Sequence, residues 1–222
     1  MARDVNAKRP YDSPRRRAQA AATRRDILEA AGRLFAGRGY AATTMEAVAT
    51  EAGVALKTVY VAFETKSGLL RALWNHLLRG GRDDVPVAQQ EWYRDVLGEP
   101  DPERQVRSAF AHARQVKARI GPLFEVIRGA AAIDPDIGAL WQRIQDEFHA
   151  NQRVIVESLD AKHALRAGLD VGRATDVMWT INHPNVWQLL VGERGWTAER
   201  WERWSADLAC AQLLGTTTPP RA

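Results

Sequence analysis

Between residues 45 and 63 the chain sets two short apolar patterns on either side of one glycine, and few local folds satisfy that spacing. Met45, Val48 and Ala49 fall on one helical face, Gly53 follows, and then Val54, Val59 and Phe63 repeat at helical spacing. Two helices this short, joined by a turn this tight, need each other and a third element to bury their apolar sides. A helix-turn-helix makes the same demands: a buried alanine or aliphatic on the first helix, a glycine in the turn, and apolar pins holding the second. The second helix then offers its first residues to base edges in a major groove. Here those residues are Leu56, Lys57 and Thr58. Tyr60 turns its hydroxyl outward, within reach of a phosphate, and Lys66 opens the next helix near the same surface.

The flanking sequence completes a compact unit. Ile27, Ala31, Leu34 and Phe35 predict a preceding helix that ends at Gly39, since glycine tolerates the left-handed conformation of a helix C-terminus. Thr43 and Glu46 are spaced as a capping box for the short helix after it. Leu69, Leu70, Leu73, Trp74 and Leu77 predict a fourth helix from about Lys66 to Gly80-Gly81.

Charge is distributed unevenly. Through residue 80 there are fourteen Lys/Arg against seven Asp/Glu, a balance of +7, which leaves seventeen against twenty, or −3, for the remainder. A basic front on a slightly acidic body suits contact with a polyanion. Residues 1–17 contain Pro10, Pro14 and the run Arg15-Arg16-Arg17 without apolar periodicity, and read as a flexible basic arm. Such an arm either enters a minor groove or stays a solvated tail. The N-terminus lacks the apolar segment of a secretory signal, and no stretch approaches the ~20 apolar residues that cross a bilayer. The single cysteine, Cys210, excludes an intramolecular disulfide framework. A cytosolic location and no membrane partner are the expectation.

Beyond residue 82 the pattern stays helical. Residues 83–101 are mixed, a loop or a short helix. Pro102–Lys117, Pro122–Ala132 and Pro135–Leu159 each open on proline, which suits a first helical turn. Two further helices are expected at about 171–191 and 197–214, with Thr197 as an N-cap and Pro184 either kinking or restarting the first. No alternation of β-branched residues marks a strand. The fold class expected is all-α: a helix-turn-helix domain at 18–82, a larger helical ligand-binding and dimerisation domain at 83–215, and a flexible tail at 216–222.

The run from Thr43 to Ala49, and then from Ala52 to Leu70 (AGVALKTVYVAFETKSGLL), resembles the tetracycline-repressor (TetR) family. Ile27 to Ala31, Leu34-Phe35 and Arg38-Gly39-Tyr40 are similar to that family's first helix and turn, so the resemblance covers roughly residues 22–82. It implies a three-helix DNA-binding head with Ala55–Val61 as recognition helix, Tyr60 and Lys66 as phosphate contacts, and Thr44 as a phosphate or capping contact. Ala55 departs from the family, which has serine or threonine as the cap there. Losing such a cap costs ~1 kcal/mol. The resemblance also implies a homodimer paired through the last two long helices.

Five of the eight tryptophans lie between 179 and 204, a density that suits an interface or an apolar pocket. Phe110, Phe124, Trp141, Trp179, His183 and Trp187 are the pocket candidates, although residues such as Phe110, Phe124, Trp141 and Phe148 are more often core than pocket, and a histidine such as His183 is more often a hydrogen-bonded structural one. Trp201, Trp204, Leu208 and Leu214 form a stripe that either meets its own chain or makes the dimer seam. His112, His149 and His163 lack metal-ligand spacing, and no cofactor is expected. The functional expectation is a DNA-binding transcriptional regulator, a repressor released from a palindromic double-stranded operator by a small apolar effector. Two alternatives stand beside it: a ligand-independent dimeric regulator, and an enzyme with a helical substrate cavity, for which no catalytic constellation stands out.

Overall fold

The computed structural model describes residues 14–81 and 87–215. Residues 1–13 of the arm expected at 1–17, and the tail expected at 216–222, lie outside the described residues. Every named element among the described residues is helical, with one isolated β-bridge between Leu165 and Leu214. The all-α expectation is met. The chain divides into two compact units between Leu69 and Leu70.

The first unit opens with α1, Pro14–Ala42, which buries Ile27, Leu28, Ala30, Ala31, Leu34 and Phe35 on one side. Arg15, Arg16 and Arg17 belong to its exposed first turn, which corrects the boundary of the expected arm. Pro14 has a preset helical φ and the alanines after Arg17 favour helix, so the helix starts before its apolar periodicity does. Gly39, at φ 77° and ψ 174°, breaks the helix as expected. α2, Met45–Glu51, is capped by Thr44, whose Oγ1 accepts from the Ala47 amide at 3.1 Å. The expected Thr43 cap is therefore one residue early. Thr43 is fully buried and donates instead to the Gly39 and Leu34 carbonyl oxygens at 2.8 and 3.2 Å.

A turn at Ala52-Gly53 leads to α3, Leu56–Phe63. Gly53 takes φ +66°, a left-handed conformation that any side chain would strain. The Gly53 and Val54 amides close the turn on the Thr50 and Ala49 carbonyls. α4, Lys66–Leu78, begins after Thr65, whose Oγ1 accepts from the Gly68 amide at 2.9 Å.

In the second unit the mixed stretch resolves into a 3₁₀ turn, Val87–Gln89, and α5, Glu91–Gly98, which buries Tyr93 and Val96. α6 is a single helix, Pro102–Ala130, where two were expected. Pro122 removes one donor from the ladder, but Ile120, Leu123, Phe124 and Ile127 all bury around it, and packing outweighs the local break. α7 is Pro135–Ala161 and α8 is Val171–Ile181.

Pro184 restarts the chain as α9, Pro184–Trp187, with His183 as N-cap through Nδ1. The expected helix at 171–191 is thus interrupted at Asn182-His183. A π-helical turn, Gln188–Glu193, follows, and then α10, Ala198–Leu213, capped by Thr197 as expected. α6 packs chiefly on α10, and α8 joins α7 to α10. At the centre of this core the Trp201 ring lies 5.9 Å from Phe110 and 5.0 Å from Trp187.

Candidate functional site

The face of α3 that points away from its own core is the candidate nucleic-acid surface. Val59 and Phe63 are buried, four residues apart, and fix the rotation of the helix. Lys57 and Val61 then fall on the opposite side, and both are exposed, Val61 by 76%. Tyr60 flanks that face at 44% exposure; Thr58 lies on the other flank, and it and Leu56 are half-buried. α3 is braced by Arg24, which donates to the Ala62 carbonyl at 2.9 Å and stacks its guanidinium 4.3 Å from the Phe63 ring centre. Ala55 gives the helix no side-chain cap, so the departure noted in the sequence is a real gap in the structure.

Sequence reasoning gave Lys66 only a phosphate role, but the structure also gives it a partner within the head. Its ammonium donates to the Tyr40 carbonyl at 3.0 Å, leaving two further protons on the nitrogen. Thr44, exposed, has its oxygen committed to the α2 cap and its hydroxyl proton available. Two contributors were missed. Val61 is an exposed apolar side chain on the outward face, and its signal was the four-residue step from Lys57. Arg24 had no signal in spacing, because its contact spans 38 residues.

The second unit holds a partly open cavity of about 110 Å³ walled by α4, α5, α6 and α7. Phe124 is the one aromatic pocket candidate that lines it; Trp74, Trp92, Tyr93 and Phe148 supply the remaining rings. Phe110 and Trp187 are corrected to core: they are buried against Trp201 and do not line the cavity. Trp141, Trp179 and His183 do not line it either: Trp141 packs against Phe124 and Trp179 against His183. His183 is a structural histidine that caps α9 and hydrogen-bonds Gln145 at 2.9 Å. Burial first, and then the nearby Lys117 charge, hold its pKa down at about 4.

The polar part of the lining is Lys117, Gln145, Glu147, Asn151, Gln152 and Asn182, none of which the sequence singled out; of these Lys117, Gln152 and Asn182 are buried and linked to one another. Lys117 Nζ donates to Asn182 Oδ1 at 2.5 Å, and Asn182 Nδ2 donates to Gln152 Oε1 at 3.0 Å. Burial pushes the Lys117 pKa down to about 7.

Of the seam candidates, Trp201 is corrected to intrachain core, with no exposed surface. Leu208 and Leu214 are partly buried against the same core, and Trp204 is 39% exposed with its ring 5.8 Å from Trp196. The buried side of α10 is Trp201, Ser205, Ala206, Ala209 and Leu213. Trp204, Leu208 and Ala211 lie around the helix from it.

Residues 27–73 match the family model of bacterial regulatory proteins of the tetR family. An HTH-type transcriptional regulator of Bacillus subtilis, YvkB, is 32% identical over 75 residues, which span 34% of this chain and 40% of that protein. Solved structures share the whole architecture at low identity. PfmR, a TetR-family transcriptional regulator of Thermus thermophilus, superposes with a TM-score of 0.61 at 22% identity, covering 84% of this chain and 97% of PfmR. The SmeT–triclosan complex gives 0.69 at 20% identity, covering 90% and 99%. A Saccharomonospora viridis protein described as a transcriptional regulator, in complex with choline, gives 0.66 at 16%, covering 87% and 98%.

Proposed function

Residues 27–73 place the chain in the tetR family of bacterial regulatory proteins, and from that premise we propose a ligand-released transcriptional repressor that binds a palindromic operator as a homodimer. The observation that carries the DNA-binding part is the outward face of α3. A buried Val59–Phe63 edge leaves Lys57 and Val61 outermost and puts Leu56 and Thr58 at the end of the helix that enters a groove. Lys57 and Thr58 suit polar base edges, and Leu56 and Val61 suit the thymine methyl. Tyr60, Thr44, Lys66 and the Arg15–Arg17 turn are assigned to phosphates, which position the head without reading sequence.

Ligand control rests on the cavity. A largely apolar enclosure with a few convergent polar groups is the usual form of a small-molecule site. Similarly folded proteins are solved with triclosan and with choline, ligands of unlike chemistry, so the fold accommodates such sites without fixing their occupant. Trp74 and Leu78 of the cavity wall belong to α4, the helix that begins at Lys66 in the head. A ligand that displaces them acts on a helix continuous with the DNA-binding segment.

Selection of bound sites from random duplex DNA, followed by anisotropy titrations with full-length protein, tests this reading. An inverted repeat is expected. Thr58→Ala should change preference at one position of each half-site, while Tyr60→Ala should weaken every duplex alike. Equal binding to selected and scrambled DNA would refute it.

A further inference from the structure

The cavity of the second unit has apolar walls and one deeply buried cation. Lys117 lies in mid-α6 between core positions and is 3% exposed. Its ammonium sits 4.8 Å from the Trp201 ring centre and 5.7 Å from that of Phe148, and its hydrogen-bond acceptor is the neutral amide oxygen of Asn182. Among the described residues no carboxylate pairs with it. Desolvating an ammonium against one amide and two rings costs several kcal/mol, which a methionine at this place would avoid. The ammonium carries three protons, and Asn182 takes one.

The geometry points to a counter-ion that arrives with the ligand. We propose that the cavity takes a small monocarboxylate as the effector of the regulator read above, its apolar body against Phe124, Phe148 and Trp92 and its carboxylate on Lys117 Nζ. A cationic ligand would be repelled by Lys117, and a neutral one would leave two buried donors unmatched. A doubly charged anion would bring a second charge with no partner. Size limits the ligand too: a cavity of ~150 Å³ holds benzene, so about 110 Å³ encloses a short acyl chain or part of one ring, the rest lying in the open mouth.

Charge pairing gives the site a pH signature. Burial holds the empty-site Lys117 near neutrality, and a bound carboxylate favours its charged form, so binding above pH 7 takes up a proton. The other titratable groups facing this region are His183 before α9, held neutral at pH 7 by burial, Tyr93 of α5, whose pKa burial raises, and the exposed Glu147 of α7.

The test is calorimetric titration of the full-length protein with phenylacetate, phenylacetamide and phenethylamine, repeated on Lys117→Met and Lys117→Gln. Phenylacetate is expected to bind about tenfold or more tightly than the other two, more weakly at pH 8.5 than at pH 6.5. Both variants should lose the preference while keeping their circular dichroism. Amide or amine binding as tight as the acid, an acid preference that survives Lys117→Met, or no saturable binding of phenylacetate at millimolar concentration would each overturn the proposal. Selective DNA binding measured on the same preparation separates the readings, since its persistence would leave the regulator standing without this effector.

Discussion

The ammonium of Lys66 donates to the backbone oxygen of Tyr40 at 3.0 Å and lies 4.2 Å from the centre of the same residue's ring. One side chain thus ties the start of α4 to the end of α1, beneath a Tyr40 ring that stacks on Phe35 at 5.9 Å. A charge-assisted hydrogen bond with a cation–π contact at a half-buried site contributes about 1 kcal/mol or somewhat more. Lys66→Ala should therefore lower stability by about that amount and also weaken binding to all duplexes. Tyr60→Ala, at an exposed position, should weaken binding with the denaturation midpoint unchanged. A Lys66→Ala protein with the native urea midpoint would mean that the tie to Tyr40 contributes nothing.

The uncapped start of α3 gives a prediction of gain. Ala55 has φ −68° and ψ 141°, the extended geometry of an N-cap residue, and is exposed. Serine fits there without strain and can accept from the Lys57 amide, or share the Thr58 amide that already donates to the residue 55 carbonyl, worth about 0.5–1 kcal/mol. Ala55→Ser should raise the thermal midpoint of the full chain, and helix capping should not alter which bases are read. A lower midpoint would show that the extended geometry at Ala55 does not serve as a cap.

The legibility of this molecule in its sequence follows the range of the interactions involved. Local signals held: Gly39 broke α1, Gly53 made the turn, Thr197 capped α10, and Val59 and Phe63 set the face of α3. Where competing caps stand side by side, the capping-box spacing to Glu46 favours Thr43 over Thr44, because a threonine buried by contacts to Leu34 and Gly39 looks the same in sequence as one that caps. Pro122 looked like a helix start because proline's local cost is visible and the packing of Leu123, Phe124 and Ile127 is not. The cavity was the least legible. Aromatics advertised it, yet Phe110 and Trp187 went to the core, and the residues that give it chemistry, Lys117, Gln152 and Asn182, meet across 30 and 65 residues of chain.

Trp201 and Trp204, three residues apart on α10, should respond in opposite ways. Trp201 is enclosed by Phe110 and Trp187, and truncating such an aromatic costs about 3–5 kcal/mol. Trp201→Ala should therefore lose cooperative unfolding. Trp204 lies on the outer side of the helix with Leu208 and Ala211, the part of the expected seam that remains available to a partner. Trp204→Glu should keep its circular dichroism and sediment as a monomer with weakened operator binding. A folded Trp204→Glu dimer would place the seam elsewhere.

Lys117 should also leave its mark on stability without any ligand. Its folded pKa is near 7 and that of an unfolded lysine is 10.5. Between those values the unfolded chain holds a proton that the folded one has released, so unfolding takes up a proton and stability rises with pH. Below pH 7 both states are protonated, and the folded protein carries the full cost of a buried charge. Lys117→Met has neither the cost nor the linkage. The variant's advantage over wild type should therefore be largest and flat below pH 7 and shrink by up to about 1.4 kcal/mol per pH unit above it. Urea denaturation of both proteins from pH 6 to pH 9 measures this difference directly, with other titrating groups common to the pair. A difference that does not change with pH would mean that Lys117 stays charged in the folded protein, held by a counter-charge the apolar walls do not supply.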